Sequence, residues 1–262
     1  MFHPIYSKNF SLNCKIKSVN YKFIYISEEM AKKEYKVKKK RSFAFHLLRG
    51  FLKIFLRKSK IVKAADCTLQ KKAIYIMNHC GARGPLIFEL RFPVRSSPWG
   101  AHEMCGNYRE RWNYLYHVFY IQKMHWCKAR AFIVATLFAI ISKWLYNSVG
   151  LIGTYRDARF LKSLKNSIAV LNADLSIVIY PEDSDEGYFE EARAFHKGFI
   201  QLSKLYRRRE GQDLPVYSVH YNRKKNTFFV DEPLYINKML EEGMTEDEIS
   251  ALFLEKNNSH SK

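Results

Sequence analysis

Ala73-Ile74-Tyr75-Ile76-Met77 is a continuous apolar run that breaks at once into the polar pair Asn78-His79. A short run without alternation suits a strand buried on both faces, as in a parallel sheet covered by helices. The segments around it keep that rhythm. Gly84-Pro85 opens a short helix, proline being well placed in a first turn, and residues 92–104 return as a strand. Residues 107–146 are unusually aromatic and predict one or two helices. Phe160, Leu164, Ile168 and Leu171 keep helical spacing ahead of a second apolar run over 175–180. A helix over about 192–209 follows, then strands over 214–221 and 227–230. A closing helix is opened by the capping box Thr245-Glu246-Asp247-Glu248. This alternation predicts an α/β fold, with a mostly parallel central sheet flanked by helices. At 262 residues the chain is long enough for one well-buried core.

The formal net charge of +19 implies a polyanionic partner. The charge is concentrated. Residues 32–63 hold thirteen Lys or Arg against the single acid Glu34, a net of twelve out of nineteen. Within them, at 100° per residue, His46, Arg49, Lys53 and Arg57 share an arc of roughly 80°. Phe43, Leu47, Leu48, Phe51, Ile54 and Phe55 take the other side. A basic run beside a wide Phe/Leu face describes an interfacial helix lying among anionic lipid headgroups; the alternative is an ordinary surface helix. Nucleic acid is not the expected polyanion, because no RRM, KH, helix-turn-helix or zinc signature is present.

The expected organisation is a poorly ordered basic segment over 1–40, an amphipathic interfacial helix over 41–66, and an α/β domain over 67–262. Five cysteines without Cys-x-x-Cys spacing predict a reducing compartment and neither a disulfide nor a zinc framework. No secretory h-region stands near the first residues. The longest apolar run, Ala131–Ile141, falls short of the roughly 20 residues that span a bilayer. The expected location is therefore the cytoplasmic face of a membrane, peripheral or monotopic.

In open α/β sheets, ligands bind beyond the carboxyl ends of the strands. Three polar clusters follow apolar runs here: Asn78-His79, Pro181-Glu182-Asp183, and Ser218 to Tyr221. The acidic stretch 183–187 does not make an EF-hand loop, whose twelfth position would be Ala194, so no metal is expected.

Four blocks in order over residues 70–235 resemble the glycerol-phosphate and lysophospholipid acyltransferase family (1-acylglycerol-3-phosphate acyltransferase-like), which makes phosphatidic acid from lysophosphatidic acid. Asn78-His79-Cys80-Gly81-Ala82-Arg83-Gly84 resembles its first block, Asn-His followed by four residues and an Asp. Gly150-Leu151-Ile152-Gly153-Thr154-Tyr155-Arg156 resembles the second, whose Arg binds the acceptor phosphate. Tyr180-Pro181-Glu182-Asp183-Ser184 resembles the third, Phe-Pro-Glu-Gly-Thr, trailed by Phe195-His196-Lys197-Gly198. Leu214-Pro215-Val216-Tyr217-Ser218-Val219 resembles the fourth.

The resemblance implies His79 and Glu182 as catalytic residues, with Asn78, Arg156, Gly150, Pro181, Ser184 and Lys197 binding substrate. It implies no bound cofactor. The partners would be an acyl-CoA or acyl-carrier-protein donor, a lysophospholipid-like acceptor and an anionic membrane surface. One departure stands out: the family's Asp, which orients the His, is Gly84 here. By analogy with a hydrolase triad its loss could cost on the order of 10³–10⁴ in rate. Glu89 cannot replace it from the same helix, being about 140° around and about 7.5 Å along. Asp183 and Asp185 make the third block more acidic, which disfavours a phosphate-bearing acceptor. The expected function is transfer of a fatty acyl group to a lysophospholipid-like hydroxyl; the alternative is a catalytically impaired, lipid-binding relative.

Overall fold

A computed structural model of the chain describes residues 35–65, 67–81 and 83–261. Most of the basic segment expected over 1–40 lies outside them. Helix α1 (Phe43–Phe55) leads to strand β1 (Lys60–Lys63) and then to β2 (Ile74–Met77). After β2 come α2 (Arg83–Arg91), β3 (Ser96–Ala101), a 3-10 turn (His102–Cys105) and α3 (Tyr108–Asn113). A π-helical segment (Tyr114–Lys123), α4 (Lys128–Val149), β4 (Ile152–Thr154), α5 (Phe160–Leu171) and β5 (Ser176–Ile179) follow. The chain closes with α6 (Gly198–Glu210), β6 (Pro215–Asn222), β7 (Thr227–Val230), β8 (Leu234–Tyr235), α7 (Ile236–Glu241) and α8 (Glu246–Asn258).

The protein is a mixed α/β structure with a mostly parallel central sheet flanked by helices. Its strands run in the order β1-β7-β6-β2-β5-β3-β4, with β8 also pairing on β6. From β6 to β4 all neighbours are parallel. β7 joins β6 antiparallel through a hairpin and takes β1 along. β2 and β5 lie side by side in the middle and are buried along their whole length, as their unalternating apolar sequences require. Tyr75 of β2 stacks on Tyr217 of β6 at 4.9 Å. Their hydroxyls are bonded to the Gln70 and Thr68 carbonyls, so the buried rings leave no orphan polar group.

Two regions depart from the expected pattern. The helix expected from 192 starts only at Gly198, because residues 183–197 are polar and lack helical apolar spacing. The helix expected over 41–66 spans only Phe43–Phe55 and is followed by β1, and it is turned around relative to an ordinary surface helix. Its buried contact is Phe45, while Phe43, Leu47, Phe51, Ile54 and Phe55 are exposed, Ile54 by 78%.

The reason lies at two helix ends. Arg49 donates to the Leu90 carbonyl in the last turn of α2, and Arg91 donates to the Lys53 and Leu56 carbonyls at the end of α1. Each helix thereby supplies a guanidinium for the other's unpaired C-terminal carbonyls. Part of the basic side faces inward, and the Phe/Leu side is left facing out.

The aromatic stretch forms three helical pieces, and its last piece is longer than the sequence suggested. α4 is a single 22-residue helix, about 33 Å long, and is long and apolar enough to cross a membrane by length and composition. It packs on the domain through a small-residue face, Ala131, Ala135, Ala139 and Ser142, all fully buried. Phe132, Ile133, Leu137, Ile140, Ile141 and Trp144 point outward, Leu137 and Ile140 by 63% each.

Candidate active site

β2 delivers Asn78 and His79 to the carboxyl edge of the sheet, and the two side chains have separate tasks. Asn78 is buried, and its amide clamps β6: its Oδ1 accepts from Tyr221 N–H at 2.7 Å and its Nδ2 donates to the Tyr221 carbonyl at 3.2 Å. Expected to bind substrate, Asn78 instead continues the sheet ladder with a side chain. His79 then turns away from the sheet. Cys80 and Gly81 both adopt positive φ, 45° and 62°, which bends the chain back on itself. That bend sets the Gly81 carbonyl 2.5 Å from His79 Nδ1. A carbonyl only accepts, so Nδ1 carries the proton and Nε2 keeps a lone pair. Burial pushes the imidazole down to about 4, against the Gly81 bond, which raises it. At neutral pH the ring is a neutral base.

No carboxylate oxygen bonds the His79 ring among the described residues. Glu89 is bound bidentately by Arg41, at 2.8 and 3.1 Å. Glu103 pairs with His102 at 3.2 Å, and Asp183 accepts from the Asp185 N–H. Glu182 bonds His79 but not its ring: its Oε1 accepts from the His79 backbone N–H at 2.8 Å. Its carboxyl is pushed up to about 7 by burial, which outweighs that bond and the charge of Lys123. Glu182 thus positions the turn rather than the imidazole. The absence of Asp at 84 also has a packing cause. A Cβ at Gly84 would lie 2.2 Å from the His79 carbonyl oxygen and 3.1 Å from that of Asn78. Both are backbone atoms, so α2 can start this close to β2 only without a side chain.

The loop after β5 covers the imidazole. Tyr188 stacks on His79, centroids 4.4 Å apart at 19°, with its hydroxyl 3.5 Å from Nε2. Tyr180 meets the ring edge-on at 5.2 Å. The loop is fastened from several elements. Lys123 Nζ, at the end of the π-helical segment, donates to Ser184 Oγ at 2.7 Å, and Gln122 donates to the Asp185 carbonyl at 2.9 Å. Arg156, just past β4, holds Asp185 bidentately at 2.9 and 3.1 Å. That bond keeps the Asp185 carboxyl below its usual range. Burial lowers Lys123, opposed by the charge of Asp185.

Of the substrate-binding residues expected from sequence, Arg156 and Ser184 are therefore present at this edge but engaged with the loop and the π-helical segment. Pro181 is buried, its carbonyl accepting from His196 N–H at 2.7 Å. Lys197 reaches α8 instead, pairing with Asp247 at 2.5 Å. Gly150 is not at this edge at all. It ends α4 in the left-handed conformation, φ 66°, and sits against Ser97 near the start of β3, at the amino edge of the sheet. Tyr188 and Lys123 were not singled out from sequence; a Tyr in a polar loop and a Lys in an aromatic helix carry no motif.

Among known proteins, no family model matches the chain, and no curated protein does. Its structure is similar to that of the 1-acyl-sn-glycerophosphate (LPA) acyltransferase PlsC from Thermotoga maritima, with 13% sequence identity and a TM-score of 0.47. The similarity covers 82% of this chain and 74% of that one.

Proposed function

We propose that the chain is an O-acyltransferase of the glycerolipid type. It moves a fatty acyl group from a thioester donor, acyl-CoA or acyl-carrier protein, to the hydroxyl of a lysophospholipid-like acceptor, in phospholipid synthesis or remodelling. The reading rests on one observation: an imidazole beyond a central strand, its Nδ1 proton held by a carbonyl and its Nε2 lone pair met, among the described residues, by the Tyr188 hydroxyl alone, at 3.5 Å. In this mechanism the acceptor hydroxyl takes the place of the Tyr188 hydroxyl beside Nε2. Nε2 removes its proton, the oxygen attacks the thioester carbonyl, and the thiolate leaves and recovers the proton from the imidazolium. The Gly81 carbonyl fixes the tautomer as a carboxylate would, but brings no full negative charge to steady the imidazolium. The outward apolar faces of α1 and α4 support work at a membrane surface, and the basic N-terminal region supports an anionic, cytoplasmic one.

The test is acyl transfer by the full chain to lysophospholipid in mixed vesicles, compared with His79→Ala. Equal turnover in the variant would remove His79 as base. A second reading, a lipid-binding relative with impaired catalysis, is favoured by the lack of a carboxylate on the ring and by the Tyr188 cover. Vesicle binding without turnover on either thioester donor would select it.

A further inference from the structure

A cleft of about 660 Å³ opens between the segment leading into α1 and the last turns of α4. Its charged lining is Lys38, Lys40, Arg41, Arg111 and Lys143, with no acidic residue among the described ones. Arg41 is neutralised by Glu89. Among the described residues the ammonium groups of Lys38, Lys40 and Lys143 have no hydrogen-bond or ion-pair partner. Arg111 is more unusual: it is 4% exposed, yet among the described residues no carboxylate meets it. Its guanidinium donates only to the Ala139 and Gly106 carbonyls and to Ser142 Oγ. Among the described residues, no acceptor meets the second hydrogen of Nη1 or of Nη2. Buried charges are as a rule paired. Four uncompensated cations lining one concave surface focus a positive potential there.

The cleft's position says what that potential meets. Arg41 donates to the carbonyls of Ser96, which starts β3, and Ser148, ahead of β4, so the cleft lies at the amino edge of the sheet, opposite His79. Its two walls begin the outward apolar faces of α1 and α4. Phe45 and Trp144, 6.3 Å apart, join the two helices across it. A concave cation cluster flanked by exposed Phe, Ile, Leu and Trp is complementary to an anionic bilayer surface, where phosphates lie just above acyl chains.

We infer that this cleft is a discrete site for the phosphate of an anionic bilayer lipid, separate from the acyl-transfer site. It rests on the membrane-docking part of the proposed function and is independent of His79 chemistry. The phosphate sits between Lys38, Lys40, Lys143 and Arg111 while the α1 and α4 side chains enter the acyl layer. Seating there lays α4, which runs back toward the His79 end, along the membrane.

The test is co-sedimentation of the full chain with phosphatidylcholine vesicles, with and without phosphatidylglycerol. Lys40→Glu/Lys143→Glu is compared with Lys162→Glu/Lys256→Glu, the same charge change on α5 and α8, outside the cleft. The cleft pair is expected to lose binding to the anionic vesicles by roughly tenfold or more. The control pair should lose less than about threefold, because surface charges act over about a Debye length. Equal losses in the two pairs would mean diffuse attraction and overturn the site, as would no loss in the cleft pair. Tight binding of inorganic phosphate that vesicles do not compete for would overturn the lipid as its source. If the unmodified chain binds neither vesicle, membrane docking itself fails; if it binds and the cleft pair binds equally, the cleft alone fails.

Discussion

At the carboxyl edge of the sheet, Arg156 is held by Asp185, Lys197 by Asp247, and Lys123 by Ser184. At the amino edge, Lys38, Lys40 and Lys143 face a cleft that no acid among the described residues lines. A ligand at the first edge must displace protein groups from one another and lift Tyr188 off His79. A ligand at the second breaks no side-chain pairing of Lys38, Lys40 or Lys143 among the described residues. On the two proposals, binding at the amino edge needs no rearrangement whereas acyl transfer at the carboxyl edge waits on the loop, and each difference can be probed by substitution.

The largest effect is expected where the chemistry is placed. His79→Ala should lower acyl transfer by on the order of 10²–10⁴-fold, the usual range for losing a general base, with vesicle binding unchanged because the amino edge is intact. Single-turnover kinetics on a thioester donor would measure it. A loss of vesicle binding along with turnover would mean that the two edges are not separate.

Next comes Gly84→Asp, which on motif grounds should restore an orienting acid. The packing argues the reverse. With the added Cβ 2.2 Å from the His79 carbonyl oxygen, α2 or the end of β2 must shift, and the variant should lose about 3 kcal/mol of stability in urea unfolding and gain no activity. Raised turnover at undiminished stability would show that the turn can open to seat a carboxylate.

A smaller effect is expected at Glu182, and it depends on pH. Burial raises its carboxyl from 4.5 to about 7, so the fold prefers the protonated form. The stability this contributes is full below about 4.5 and is lost as pH rises through about 7. Glu182→Gln keeps an oxygen for the His79 N–H but cannot ionise. Relative to the parent it should match at pH 4 and be more stable by roughly 2 kcal/mol at pH 8. His79 runs oppositely: held down near 4, it contributes stability above about 6.5 that is lost as pH falls through about 4. Melting temperatures across pH 4–8 would separate the two, and an unchanged Glu182→Gln profile would mean that the carboxyl is solvated.

Much of the carboxyl edge was legible in the sequence, because its strands are. Apolar runs without alternation leave little besides a buried parallel strand, and a polar pair ending such a run must stand at a sheet edge. What stayed hidden depends on backbone conformation or distant partners. The Gly81 carbonyl reaches His79 only because Cys80 and Gly81 take positive φ, and Tyr188 lies 109 residues from the imidazole it covers. The orientation of α1 was hidden for a similar reason. Its periodicity separates basic from apolar residues, but the α2 partners, the Leu90 carbonyl that receives Arg49 and the Arg91 guanidinium, decide which side turns inward. The amino-edge cleft brings together residues 38 and 143, which no local pattern connects.

The smallest effect is expected from Asp185→Asn, and it bears most directly on the contrast between the edges. The Arg156–Asp185 pair is largely exposed, 75% and 50% by side chain, so its removal should change stability by less than about 1 kcal/mol. Its consequence is for binding. Asp185 gives Arg156 the two-oxygen contact that a phosphate would otherwise give, and it also ties down the loop that carries Tyr188. Replacing it with Asn removes the competing charge while keeping the loop's length and polarity. KM for a lysolipid bearing a terminal phosphate should fall several-fold, while that for a lysolipid with a neutral glycerol headgroup should hardly move. A fall for both acceptors would assign the pair to loop closure rather than to headgroup choice. No change for either would leave Arg156 outside the acceptor site, and the carboxyl edge would then hold its acceptor without a cation.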